Sequence, residues 1–294
     1  MKSALVVATV ALSLAVTVPS APIRADSREA LTGGVQRYLT VAGDTWSALQ
    51  ARFGVDARTL MDDNSLPQGR PLTAGLELRI DNRHIVPGEL AQATLVINVP
   101  QRMLFHDAGE MVMGAPLAVG KPTWQTPLGA FTIVTKEEDP TWDVPASILE
   151  EARRAGRPLP AAVPPGPSNP LGKYWLGLSI GGVGIHGTNA PMSIYNAVTH
   201  GCMRLAAADI ATVFGRVAPG TAGVIVYQSV LMAVEDGEIL LEVHPDIYRR
   251  VPDAAGAAHA LARALGVEQD VDWEQADRVI RSRHGVARQV GVRE

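Results

Sequence analysis

Apolar positions change rhythm along the chain, and each rhythm predicts an element. Tyr38, Leu39 and Val41 suit a short strand. Trp46, Leu49 and Phe53 follow at offsets 0, +3 and +7, one face of a helix that Asp44 and Thr45 can cap. Gly54 stops that helix, and a second, roughly Asp56 to Asp63, carries Leu60 and Met61. Pro67 and Gly69 break the chain before Leu76–Ile80 alternates as a strand. Residues 81–92 read as a polar linker with a Pro-Gly turn at 87–88. From Ala93 to Gly120, apolar runs flank a turn at 107–110, which predicts a hairpin at the start of a sheet. Thr126–Val134 and Lys173–Thr188 continue in β rhythm. Between them, residues 136–172 are rich in proline and irregular, apart from a helix over roughly Ala146–Ala155. So long an excursion inside a domain is expected to be a lid or binding loop. Ile210, Val213, Phe214 and Val217 give another helix face, and Gly223–Tyr227 a buried strand. The tail from Val230 holds a β-like run, "EILLEVH", and then helical segments. These elements predict an α+β fold, mainly β, with a small βααβ unit over 36–81, a larger β-rich domain over 92–228 and an extension of unknown role over 229–294.

Composition narrows the class. An apolar fraction of 47% against 19% charged residues describes a globular chain with a substantial core. A net charge of −4 gives no electrostatic case for a nucleic-acid partner. Lys2 precedes an uncharged apolar run from Ala4 to Val18, followed by small residues and prolines. That order is expected to be a cleaved export signal over residues 1–25, and the run is short of the roughly 20 residues that span a bilayer. It contains no cysteine, so no lipid-anchored mature N-terminus is expected. The chain has one cysteine, Cys202, which excludes an intramolecular disulfide. An unpaired thiol in an exported protein points either to chemistry or to a buried, inert packing role.

The stretch Tyr38–Ile80 resembles a LysM domain along nearly its whole length. "GDTWSAL", "FGV" followed by "TLMDDN", and "LTAGLELRI" carry the likeness. The resemblance implies binding of N-acetylglucosamine-containing glycans, peptidoglycan among them.

Polar groups crowd the cysteine. His200 lies two residues before it, Arg204 two after, and His186 sixteen before. A thiol attacks a carbonyl at neutral pH only with a base or a cation beside it, and imidazole suits that work. Gly201-Cys202, just before a predicted helix, can also present backbone N–H groups to an oxyanion. Spacing alone leaves a second reading open, in which His186, His200, Cys202 and His244 ligate a tetrahedral metal ion. No Cys-x-x-Cys half-site supports it.

"IHGT", a gap of about a dozen residues, then "THGCMRL" resembles the signature of the L,D-transpeptidase catalytic domain, also called the YkuD domain. The likeness runs over about Ala93–Gln228 and includes "VGKPTWQTPLGAFTI". The proline-rich "DPTWDVPASI" to "SNPLG" and the later "EVH" are similar to a periplasmic Gram-negative subset that includes enzymes attaching an outer-membrane lipoprotein to peptidoglycan. Thr199-His200 stands where that subset often has Ser-Gln or Ser-Ser, so the acceptor is not fixed. The resemblance implies a periplasmic enzyme with no metal or organic cofactor, with peptidoglycan as partner and a lipoprotein as one candidate acceptor. Cys202 would be the nucleophile and His186 its base, oriented by the Gly187 carbonyl. Gly201 would help hold the oxyanion, and His200, Arg204 and Thr188 would line the substrate site. A cell-wall carboxypeptidase or cysteine peptidase, and a non-catalytic peptidoglycan-binding protein, are the alternatives.

Overall fold

The computed structural model describes residues 30–107, 109 and 111–293. The expected export signal over 1–25 lies outside the described residues.

The N-terminal unit runs β1 (Val35–Leu39), α1 (Trp46–Phe53), α2 (Ala57–Asp63) and β2 (Glu77–Asp81). β1 and β2 pair antiparallel. The Thr45 hydroxyl accepts from the Ala48 N–H and so caps α1, whose C-terminal end turns through Gly54 at φ 67°. The apolar face read from the sequence is the packed one: Leu49, Phe53, Leu60, Leu78 and Ile80 share one small core. Val286, from the far end of the chain, belongs to the same core.

The central domain is one mixed sheet. Its strands are β3 (Leu95–Asn98), β4 (Met103–Asp107), β5 (Val112–Gly120), β6 (Gly129–Glu138), β7 (Tyr174–Leu178), β8 (Gly184–His186), β9 (Ala197–Thr199), β10 (Met203–Leu205) and β11 (Ala222–Val226). Helix α3 (Ala146–Arg154) lies in the proline-rich excursion, and α4 (Ala207–Arg216) follows β10. The spatial order is β9-β5-β10-β8-β7-β6-β11-β3-β4, and β4 pairs again with β5, so the order closes on itself. The sheet's core includes Leu95, Ile97, Leu117, Ile133, Leu176 and Ile185, with Ile210 and Val213 of α4 against it. The parallel pairing of β8 with β10 matters most for function: it sets His186 opposite Arg204, two residues beyond Cys202.

Residues 229–293 form a third unit with its own core. β12 (Val230–Glu235), β13 (Glu238–Val243) and β14 (Arg288–Val292) make an antiparallel sheet. Helices α5 (Ala254–Leu265) and α6 (Trp273–Ser282) pack on it through Ala258, Ala262, Ala276 and Val279.

Two sequence expectations are corrected. Residues 81–92 are not a solvated linker: Asp81, His84, Ile85 and Leu90 are buried. Asp81 receives Arg83 and Arg288, and the His84 ring is sealed between the N- and C-terminal units. Partners more than 150 residues away bury these polar side chains, which local polarity does not register. Nor does Cys202 abut a helix, because strand β10 and Ala206 stand between it and α4. Among the described residues no helix is long and apolar enough to cross a membrane.

Candidate active site

Cys202 sits in the turn between β9 and β10. Gly201 takes φ 110°, a conformation side-chain-bearing residues rarely adopt, and so swings the chain into that turn. Thr199 staples the turn: its hydroxyl donates to the Cys202 carbonyl at 2.5 Å and accepts the Gly201 N–H at 3.2 Å. The Cys202 thiol is partly open, with a long contact to the Gly182 carbonyl at 3.8 Å.

His186 ends β8 and is buried. Its Nδ1 lies 2.7 Å from the Gly187 carbonyl, which can only accept. Nδ1 therefore carries the proton, and Nε2 keeps a lone pair as a base. Trp175, directly across the β7–β8 pairing, stacks on the ring with centroids 5.8 Å apart. Only glycine fits at position 184 beneath that indole, where a Cβ would meet the ring at 2.3 Å.

Both side chains open onto one cavity of about 550 Å³. Trp124, Trp142, Ile148 and Leu171 supply apolar walls, and His200 and Arg204 polar ones. Ser147 and Ile148 of helix α3 line one side of it. Glu151 on α3 accepts Lys121 at 2.8 Å, and its other oxygen lies 2.6 Å from His200 Nε2. His200 meets Trp124 edge-on with centroids 5.0 Å apart. Arg204 has no carboxylate partner among the described residues, and its buried Nε has no hydrogen-bond partner. Its Nη1 lies 3.5 Å from the Ser193 hydroxyl.

The remaining two candidates sit differently. Thr188 does not line the cavity; its hydroxyl accepts the Ala190 N–H. The Gly201 N–H is engaged by Thr199, which leaves the next amide, that of Cys202, as the better-placed donor in this turn. Sequence reasoning did not single out Trp124, Trp175 or Glu151. The first two lie inside stretches quoted for their strand and motif character, where an indole reads as core. Glu151 reads as one charge on a solvated helix face.

Burial dominates the electrostatics. It pushes the Cys202 thiol up, against the opposing pull of the Gly184 backbone and Arg204. Together with the Arg204 charge, it holds the His186 imidazole down at about 4, against the opposing pull of the Gly187 and Leu171 backbone. Both shifts favour the uncharged forms, a thiol and a neutral imidazole. Iodoacetamide alkylation of Cys202 should accordingly rise about tenfold per pH unit from about pH 6 to 8, following the thiolate fraction. A plateau across neutral pH would instead reveal a preformed thiolate–imidazolium pair.

The metal reading fails on placement. His244 stands with His84 and Glu242 in a separate buried cluster, outside the cavity lining. There the Glu242 Oε1 lies 2.8 Å from His84 Nδ1 and 2.7 Å from His244 Nε2. Those are hydrogen-bond contacts, whereas two ligands of a tetrahedral zinc ion stand roughly 3.3 Å apart.

A cysteine in the turn before β10 and an imidazole on the adjacent parallel strand β8, opening onto one cavity, define a thiol acyltransferase or peptidase site. The L,D-transpeptidase catalytic domain (YkuD) model matches residues 92–226. The chain is 33% identical over 234 residues to "Probable L,D-transpeptidase YbiS" of Escherichia coli (strain K12), covering 76% of this chain and 74% of that one. It is 31% identical over 295 residues to "Probable L,D-transpeptidase ErfK/SrfK" of the same organism, covering 95% and 92%. A solved L,D-transpeptidase from Mycobacterium smegmatis aligns at 22% identity and a TM-score of 0.34, over 55% of this chain and 69% of that one. The chain belongs to the L,D-transpeptidase family.

Proposed function

We propose that this protein is a periplasmic L,D-transpeptidase that acts on peptidoglycan stem peptides through a thioester on Cys202. The observation that carries this is the shared cavity: Cys202 and His186 open onto it together, and the Gly187 carbonyl reserves the His186 Nε2 lone pair for a proton. The thiol passes its proton to Nε2 as sulfur attacks the carbonyl at the L-centre of diaminopimelate in a tetrapeptide stem. The Cys202 N–H stabilises the oxyanion. The tetrahedral intermediate collapses, D-alanine leaves with the proton from His186, and stem and enzyme are joined as a thioester. An amine then attacks the same carbonyl, its proton passes to His186, and the thiol is restored. A second diaminopimelate as the amine gives a 3→3 crosslink; a lipoprotein lysine gives a protein anchor. Arg204, half-buried and without an acidic partner, binds a stem carboxylate. Residues 36–81, with the strand–helix–helix–strand order of a LysM domain, hold the enzyme on glycan and raise the local concentration of stems. Export by residues 1–25 rests on their apolar run alone.

Incubation of the purified protein with disaccharide-tetrapeptides, followed by mass analysis, tests the reaction. Release of D-alanine with 3→3 dimers is the expected result. Tripeptide alone, with no amine adduct at any acceptor concentration, would assign a carboxypeptidase instead.

A further inference from the structure

One side chain of the C-terminal unit, Tyr248, is linked by hydrogen bonds to the turn that carries Cys202. The segment after β13 is held by Asp246, which receives the Tyr227 hydroxyl at 2.5 Å and the N–H groups of Arg250 and Val251 at 2.8 and 2.7 Å. The Tyr227 oxygen in turn accepts the Tyr248 N–H at 2.7 Å. So anchored, Tyr248 inserts its ring into the core of the central domain.

Its hydroxyl begins a chain of bonds whose directions follow from chemistry alone. The Gly120 carbonyl, 2.7 Å away, can only accept, and the Thr126 N–H, 3.0 Å away, can only donate. The Tyr248 hydroxyl therefore donates to one and accepts from the other. Thr126 is fully buried. Its own hydroxyl accepts the Gly120 N–H at 2.9 Å and donates to the Gly201 carbonyl at 3.0 Å.

That last carbonyl belongs to the peptide unit that ends in the Cys202 N–H. A trans peptide is planar, with its C=O and N–H pointing in opposite directions. Fixing the Gly201 oxygen on Thr126 therefore fixes where the Cys202 N–H points: away from Thr126. Gly201, at φ 110°, has no side chain to restrict that rotation, so the orientation depends on what grips the oxygen.

We propose that Tyr248, acting through Thr126, is a positioning residue that aims the Cys202 N–H as an oxyanion donor. The C-terminal unit thereby completes the active site, a role that residues 229–294 otherwise lack. The proposal rests on the thioester chemistry above, and two reactions of the same sulfur separate it from that chemistry. Acylation by a carbapenem passes through an oxyanion; alkylation by iodoacetamide does not. Wild-type protein and the variants Thr126→Val, Thr126→Ser and Tyr248→Phe are compared in both, with meropenem at saturation.

In Thr126→Val the acylation rate falls at least about tenfold, part of the hundredfold or more that loss of an oxyanion donor costs. Tyr248→Phe falls by about threefold or more, and Thr126→Ser, which keeps the hydroxyl, stays within about twofold of wild type. Alkylation stays within about twofold in all three. Unchanged acylation in both Thr126→Val and Tyr248→Phe overturns the relay. So does a parallel fall in acylation and alkylation, which would mean that the whole cysteine has moved. Absence of acylation in the wild type would overturn the thioester chemistry itself, and the relay with it.

Discussion

Replacing His186 with alanine lowers the rate of Cys202 acylation by about a hundredfold to ten-thousandfold, the usual contribution of a positioned general base. The effect is large because burial raises the thiol, and the Gly184 backbone and the Arg204 charge offset that only in part. The deficit shrinks as pH rises, since hydroxide then supplies the thiolate that His186 otherwise generates. That pH trend separates loss of the base from loss of the fold. Glycan binding, the role proposed for residues 36–81, stays intact in the variant. Equal losses of glycan binding and acylation would make His186 a structural residue.

Replacing Glu242 with alanine destabilises the protein by about 3–5 kcal/mol, because four buried groups lose their shared acceptor at once, each at about 1–3 kcal/mol. Glu242 is completely buried at the junction of all three units. Its carboxylate accepts His84 Nδ1, His244 Nε2, Gln101 Nε2 and the Ile85 N–H. The other His84 nitrogen lies 2.9 Å from the Gly54 carbonyl, so both nitrogens of that ring face acceptors. Burial alone would raise the Glu242 carboxyl, but His84 and His244 overrule it and hold it down at about 2. A folded-state value below the unfolded one means the unfolded chain takes up the proton first. The stabilisation is full above the ordinary carboxylate range and is lost as pH falls from there towards about 2. Urea unfolding of wild type and Glu242→Ala at neutral pH measures the difference. A loss below about 1 kcal/mol would mean that the cluster is not the buried junction described.

The local elements were legible because their causes are local. The Trp46, Leu49 and Phe53 spacing, the Thr45 cap and the Gly54 stop are all contained within ten residues, and all appear in α1. The apolar run at Gly223–Tyr227 became the interior strand β11 for the same reason. Cys202 and His186 were legible as candidates because their motifs are short and unusual. What stayed hidden depends on partners distant in sequence. His84 reads as one polar residue in a linker until Glu242 arrives from 158 positions away. Tyr248 reads as one more apolar residue of the tail until it meets Thr126 across 122 positions. Glu151 acquires meaning only once α3 folds over His200, 49 positions on. No periodicity or spacing rule encodes such meetings; they follow from the sheet's crossovers.

The most direct measurement of catalysis through Cys202 is the intact mass of the protein after incubation with a carbapenem, followed by peptide mapping. One adduct on Cys202, absent from Cys202→Ala, is the expected result. No adduct on the wild type, or an adduct that persists in Cys202→Ala, contradicts it.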